Sequence, residues 1–186
     1  MLRAKSKETI EHSKRVADYS LKISKALNLS NKESEEIYKA ALLHDIGKIA
    51  FSKEILQFSP KFSSDDYTSI RLHPFIGENI IKSLSKKKIP ISQEVLKAIL
   101  YHHERYDGKG YPKGLKGKQI PIASRIIAIA DSYDAAFHSY SKKGNKKDDK
   151  KSNKKKAIKE LVSNKGKQFD PQIVNKFLIL LKVKVK

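Results

Sequence analysis

Apolar residues recur every three or four positions along most of the chain, which is the spacing of helices that bury one face. The first such face is formed by Val16, Tyr19, Ile23 and Leu27. This apolar pattern ends at "LNLSNKE", where the side chain of Ser30 or Asn31 could cap the N-terminus of the next helix. That second helix runs into "HDIGK", where Gly47 suits a helix end.

The later segments continue the same spacing. Residues 50–64 show no regular pattern, and a third helix is predicted from about Ser64 to about His73, because Pro74 follows. The remaining apolar-faced segments are "FIGENIIKSL", "SQEVLKAILYHHE", "PIASRIIAIADSYDAAF", "AIKELVSNKG" and "DPQIVNKFLILL". Strand-like alternation and internal repeats are not evident. The pattern predicts an all-α bundle forming a single domain over residues 1–186.

The chain is strongly basic, with 40 Lys and Arg against 20 Asp and Glu, a formal charge of +20 that favours anionic partners. Ten of the lysines lie between Lys142 and Lys159, in a lysine-rich, low-complexity insertion at about residues 141–156. This stretch is predicted to be a solvated, mobile loop. Because no aromatic residue is interleaved with the lysines, nucleic-acid binding rests on charge alone and ranks last among the candidate functions.

The chain contains no cysteine, which excludes disulfides and thiolate chemistry. Any bound metal must therefore be held by nitrogen and oxygen. No run of about 18 apolar residues occurs, and the first residues lack the apolar stretch of a signal peptide. We expect no membrane span and a cytoplasmic location.

Histidine and aspartate interrupt several of the predicted apolar faces. His44 and Asp45 follow the face of the second helix, His102 and His103 follow that of "SQEVLKAIL", and Asp131 lies inside "RIIAIADSYDA". Buried imidazoles and carboxylates are costly unless they are paired or bind a metal. One such residue is usually a hydrogen-bonded core residue. Recurrence on separate helices instead predicts a metal site inside the bundle.

Two weaker signals accompany this pattern. Glu8 and His12 are four residues apart and share a helix face, so they could chelate one ion, although such pairs are usually solvated. His73, directly before Pro74, could instead cap helix carbonyls.

Four ordered blocks carry a family resemblance: "HDIGK", "HPFIGENII", "HHERYDGKGYPKGLKGKQIP" and "RIIAIADSYDA". Together they resemble the HD-GYP family, the branch of the HD phosphohydrolases that hydrolyses cyclic di-GMP. The tail "GKQFDPQIVNKF" resembles the end of the same domain, so the match covers nearly the whole chain. The resemblance implies an HD-domain helical bundle with an irregular loop rich in glycine and proline, here called the GYP loop (residues 104–112).

The resemblance also implies a metal site with two or three divalent ions. One ion would be held by His12, His44, Asp45 and Asp131, and Asp45 would bridge to a second ion held by His73, His102 and His103. Glu8 matches an acidic residue that holds a third ion in some members. Imidazole and carboxylate ligands suit Fe or Mn, with Zn as a further candidate. Two such ions can activate a bridging water and polarise a phosphodiester oxygen.

The GYP loop resembles the family's signature loop, which would close over or support the metal site. Gly108 and Gly110 are expected to let the backbone turn where a Cβ would obstruct it. Pro112 is expected to stiffen the exit. We expect Tyr111 to pack within the loop rather than contact ligand.

The expected function is a metal-dependent cyclic di-GMP phosphodiesterase that releases the linear dinucleotide or GMP, with Asp45 and Lys48 as catalytic residues. Lys48 would also face substrate phosphate. Tyr140 stands where many members have an arginine, and Lys143 matches a second basic, substrate-binding position. Since tyrosine cannot bind phosphate bidentately, the alternative is a module that binds cyclic dinucleotides or other signalling proteins with weak or no hydrolysis.

Overall fold

The computed structural model describes residues 2–52, 69–85, 90–141 and 149–183, with side chains from residue 8 onward and without those of residues 139–141 and 149–150. The described part is an all-α bundle, and no β-strand occurs in it. Its α-helices are α1 (Leu2–Ala26), α2 (Asn31–Leu43), α3 (His73–Ser85), α4 (Gln93–Tyr101), α5 (Ile122–Ser141), α6 (Asp149–Ser163) and α7 (Pro171–Leu180). Two short 3-10 helices, η1 (Ile46–Ala50) and η2 (Gly117–Gln119), follow α2 and precede α5.

Helix α5 lies at the centre of the bundle. It packs against α1 and α4 as well as against α6, while α3 packs on η1 and α4. Apolar residues of these helices form one continuous core, and those of α5 include Ile126, Ile127, Ile129 and Ala130, all fully buried. None of the described helices combines the length and apolarity needed to cross a bilayer.

The capping signal predicted at Ser30 is confirmed, and a second cap lies at Asp170. Ser30 caps α2, with its hydroxyl accepting from the Glu33 backbone N–H at 3.2 Å, while the Glu33 carboxylate accepts from the Ser30 N–H at 2.8 Å. The carboxylate of Asp170 caps α7, whose first residue is Pro171. These caps fix where two of the core helices begin.

The helix-end positions predicted for His73 and Gly47 are wrong, and so is part of the mobile loop predicted for the lysine-rich insertion. His73 is the first residue of α3, not the end of a preceding helix, because Pro74 fits the first turn, where no N–H is needed. Gly47 does not end α2 in a left-handed conformation; it lies within η1, against the His73 backbone carbonyl. The start proposed at Ser64, like most of residues 50–64, lies outside the described residues.

Part of the lysine-rich insertion is helical. Residues 149–163 form helix α6, so the predicted mobile loop is wrong for this part, and residues 142–148 lie outside the described chain. Asn153, Ala157 and Leu161 are buried at intervals of four, which gives the helix an inner face against α5. Six of the other twelve positions of the helix are lysines.

Candidate metal centre

Two groups of histidine and aspartate side chains lie next to each other inside the bundle. The first group is His12, His44 and Asp131, and the second is Asp45, His73, His102 and His103. Within each group, one nitrogen or oxygen atom per residue lies within 4.8 Å of all the others. The structure thus brings together seven of the eight predicted metal ligands.

Asp45 connects the two groups. Its Oδ2 lies 3.5 Å from Nε2 of His44, and its Oδ1 lies 3.3 Å from Nε2 of His73. One carboxylate oxygen therefore faces each group, which is the arrangement expected of a bridging carboxylate.

The ends of helices position these side chains. His44 is the C-cap of α2, His73 begins α3, and His102 is the C-cap of α4. Helix termini leave carbonyls and N–H groups without partners inside the helix, so side chains placed there can bond to the backbone. His12 and Asp131 instead come from within the long helices α1 and α5.

The same hydrogen bond fixes three of the histidine rings. Nδ1 of His44, His73 and His102 each lies 2.7 Å from the backbone oxygen three residues earlier. Because a carbonyl only accepts, each Nδ1 must carry the hydrogen. The lone pair of each neutral ring is then on Nε2, which points into the site.

The Nε2 atoms point towards one another, and the tautomers just described leave no hydrogen between those of His73 and His102. Nε2 of His73 lies 3.4 Å from that of His102 and 3.2 Å from that of His103. Nε2 of His44 is buried without a hydrogen-bond partner. Facing lone pairs repel, and a buried orphan acceptor is costly, so this donor set fits shared cations. The nitrogen and oxygen donors suit first-row divalent ions.

His12 is oriented by a carboxylate that the sequence analysis did not assign. Its Nδ1 lies 2.8 Å from Oδ2 of Asp134, while its Nε2 lies 3.1 Å from Oδ1 of Asp131. Asp134 is fully buried and accepts two bonds from Arg15, at 2.7 and 2.9 Å. A carboxylate behind a histidine ligand fixes its tautomer and orientation. Its sequence signal was its position three residues after Asp131, on the same helix face.

These surroundings shift the pKa values of the histidines in opposite directions. Burial alone would lower the pKa of His12, but the hydrogen bonds to Asp131 and Asp134 outweigh it and raise the pKa to about 9. Burial lowers the pKa of His103 to about 4 and that of His102 well below its usual range. Rings held neutral in this way keep their lone pairs for a cation.

Asp45 stays ionised although it is nearly buried. Burial would raise its pKa, but the electrostatic influence of His44 and of the Lys48 ammonium nearby outweighs burial and holds the pKa well below its usual range. Nζ of Lys48 donates to Oδ2 of Asp45 at 2.6 Å. Lys48 therefore lies beside the connecting carboxylate.

The GYP loop packs against the second group as a tightly bonded unit. The buried carboxylate of Glu104 accepts from the backbone N–H groups of Lys113 at 2.6 Å and Leu115 at 3.0 Å. Gly108 has a φ of 82°, and a Cβ on Gly110 would collide with the backbone of Arg105. The predicted need for both glycines is confirmed.

Tyr111 packs as predicted, with its ring stacked on that of His103 at 4.9 Å. A pocket of about 500 Å³ opens beside it. The pocket reaches His102, His103 and Asp131, so it leads from the surface to the site.

The remaining predicted residues lie outside the two groups. Glu8 is exposed on α1, one turn before His12. Lys143 lies outside the described residues, and of Tyr140 only the backbone, within α5, is described.

Comparison with known proteins identifies the family. A family model described as HD domain matches residues 1–173. A cyclic di-GMP phosphodiesterase of Thermotoga maritima is 38% identical over 94% of this chain and 45% of its own length. The 3'3'-cGAMP-specific phosphodiesterase 2 of Vibrio cholerae is 33% identical over 94% of this chain and 32% of its own. The chain thus spans less than half the length of these relatives.

A solved structure supports the same fold. The crystal structure of a cyclic GMP-AMP specific phosphodiesterase of V. cholerae superposes with a TM-score of 0.69 at 22% identity, over 92% of this chain and 44% of that one. The chain belongs to the HD domain family and, by its ordered motifs and its relatives, to the HD-GYP branch of that family.

Proposed function

We propose that this chain is a metal-dependent phosphodiesterase that hydrolyses cyclic di-GMP or a related cyclic dinucleotide. The observation that carries the proposal is the pair of His and Asp groups connected by the two oxygens of Asp45. The names of the relatives, which act on cyclic di-GMP and 3'3'-cGAMP, support the substrate class.

In this proposal, two divalent ions bind, one to each group. Fe or Mn is favoured and Zn is a further candidate, because all donors are nitrogen or oxygen. Bound ions of this kind would activate water and stabilise charge on a phosphodiester oxygen. A third ion at Glu8 would extend the site along α1.

The protein's own residues have distinct roles. Asp45 would be a ligand of both ions, and His44, His73 and His102 keep their Nε2 atoms aimed inward through their bonds to the backbone. Lys48, whose ammonium contacts Asp45, offsets the negative charge that develops on the phosphate during attack. Lys143 remains a predicted substrate contact. The single domain over residues 1–186, the cytoplasmic location and contacts with other signalling proteins also remain predictions.

The test is turnover by the purified chain loaded anaerobically with Mn or Fe(II). Cyclic di-GMP, 3'3'-cGAMP and cyclic di-AMP are assayed in parallel, and products are separated by chromatography. We expect the linear dinucleotide or GMP from at least one of the three, and no product after chelation. An Asp45→Asn variant, which keeps the side-chain shape but loses the charge, should be inactive.

A second candidate function is a cyclic-dinucleotide receptor without hydrolysis. It is favoured by Tyr140, which stands where many family members carry a phosphate-binding arginine. Binding of the dinucleotide by the metal-loaded chain, with no product over many hours, would support the receptor and contradict the phosphodiesterase.

A further inference from the structure

A cyclic dinucleotide carries two phosphates, and the metal centre accounts for only one of them. The reacting phosphate would lie at the ions beside Asp45 and Lys48. The second phosphate needs its own positive charge, because a phosphate bound without a partner loses its hydration without compensation. The pocket that opens from the metal centre is the place to look for that charge.

Among the residues that the structure describes, three cationic side chains line this pocket: Arg71, Arg105 and Lys109. Arg105 is already occupied, because it donates to both oxygens of Asp107, at 3.1 and 2.8 Å, and to Gln168. These bonds tie the GYP loop to the turn before α7. Lys109 is an exposed point charge.

Arg71 is held differently. Its guanidinium carbon lies 4.5 Å from the centroid of the Tyr111 ring. The Tyr111 ring also stacks on the ring of His103. Among the described residues, no carboxylate forms an ion pair with it. A stacked guanidinium presents one face to the ring, and its N–H donors point outward in its own plane. The Tyr111 ring, which also stacks on His103, therefore holds the Arg71 guanidinium at the wall of the pocket.

We infer that Arg71 binds the second, non-reacting phosphate of the cyclic dinucleotide, with Tyr111 as the platform that orients its guanidinium. This inference rests on the proposed substrate class. It makes Arg71 a specificity residue, because a substrate with a single phosphate would not reach it.

The test compares Arg71→Ala and Arg71→Lys with wild type on two substrates. Cyclic di-GMP has two phosphates, whereas bis(p-nitrophenyl) phosphate has one and reports on the metal centre alone. We expect Arg71→Ala to raise the KM for cyclic di-GMP by roughly tenfold to hundredfold, the range for loss of a charge-assisted bond. Arg71→Lys should fall between the two, since lysine keeps the charge without the planar fork. Hydrolysis of bis(p-nitrophenyl) phosphate should be unchanged in both.

Lys82→Ala, which removes an exposed positive charge from α3, is the matched control and should leave both substrates unaffected. An unchanged KM for cyclic di-GMP in Arg71→Ala would overturn the inference. So would equal losses on both substrates, because Arg71 would then be supporting the metal centre rather than a second phosphate.

Equilibrium dialysis with cyclic di-GMP separates this inference from the proposed function. If wild type binds the dinucleotide but does not hydrolyse it, the proposed activity fails, while a weakened Kd in Arg71→Ala still supports the phosphate contact. An equal Kd in wild type and Arg71→Ala overturns the contact whether or not turnover occurs.

Discussion

At the scale of single residues, the protonation of the histidines is set by fixed partners. Three rings give their Nδ1 hydrogen to a backbone oxygen, and His12 gives its own to the carboxylate of Asp134. His44 and His102 bond to carbonyls in the last turn of the helix that each one ends, and His73 bonds to the backbone oxygen of Ile70, ahead of α3. His12 depends on one side chain, which makes Asp134 the most sensitive supporting residue of the first group.

We expect Asp134→Asn to weaken metal binding at the first group by about tenfold to hundredfold, the usual effect of losing such a partner. The change removes the charge that balances Arg15, and the pKa of His12 should fall below its value of about 9. Competition with a metal indicator measures the affinity, and NMR titration of the metal-free chain measures the pKa. In wild type the ion must displace the His12 proton, so affinity should rise with pH up to about 9.

The matched control is Glu11→Gln, which removes an exposed carboxylate one residue before His12. It should change neither quantity. If Asp134→Asn behaved like this control, Asp134 would have no role in orienting the metal ligand.

At the scale of elements, the contact between η1 and α3 holds the two metal groups together. Gly47 packs directly against the backbone of α3. A Cβ added to Gly47 would overlap the backbone carbonyl of His73 and lie 2.6 Å from the amide nitrogen of Gly77. Asp45 and Lys48 flank this contact on one side, and His73 lies on the other. The close approach of two backbones thus sets the distance between the connecting carboxylate and the second group.

We expect Gly47→Ala to destabilise the chain by roughly 1–3 kcal/mol or more, because the added methyl meets backbone atoms that cannot rotate away. Gly77→Ala is the matched control, since its Cβ would meet its nearest neighbours at 3.3 Å and alanine favours the helix. Urea unfolding of the metal-free variants measures the difference. Equal stabilities would show that η1 can shift without cost and that this contact does not fix the site.

The sequence predicted those parts of the fold and site that depend on local pattern. Ser30 lies at the start of α2 as predicted, and the interrupted apolar faces marked His44 and Asp131 as residues that converge. Features created by the meeting of distant segments were not visible. Gly47 was assigned to a helix end, since its neighbour across the contact is 26 or more residues away.

The helical insertion was missed for a related reason. Its lysines suggested a solvated loop, whereas Asn153 takes the place of the first apolar residue on the inner face of α6. Similarly, the family motifs drew attention to Tyr140 as the missing phosphate contact. Arg71 lies outside those motifs, and only its position above Tyr111 makes it a candidate.

At the scale of the whole molecule, the bundle brings residues from positions 12 to 131 to one point beneath the GYP loop. The net charge of +20 favours association of the chain with anionic ligands. In the proposed phosphodiesterase, the two groups would each hold an ion and share Asp45.

The most direct measurement is the metal content of the saturated chain, determined by mass spectrometry after anaerobic loading with Mn or Fe(II), for wild type, Asp45→Ala and Asp18→Ala. We expect at least two equivalents of metal in wild type. The control Asp18→Ala, which removes an exposed aspartate of α1, should bind the same amount. Asp45→Ala should bind at least one equivalent fewer and should lose hydrolysis. A wild type that saturates at one equivalent or none, or an Asp45→Ala variant with full metal content and activity, would contradict the proposal.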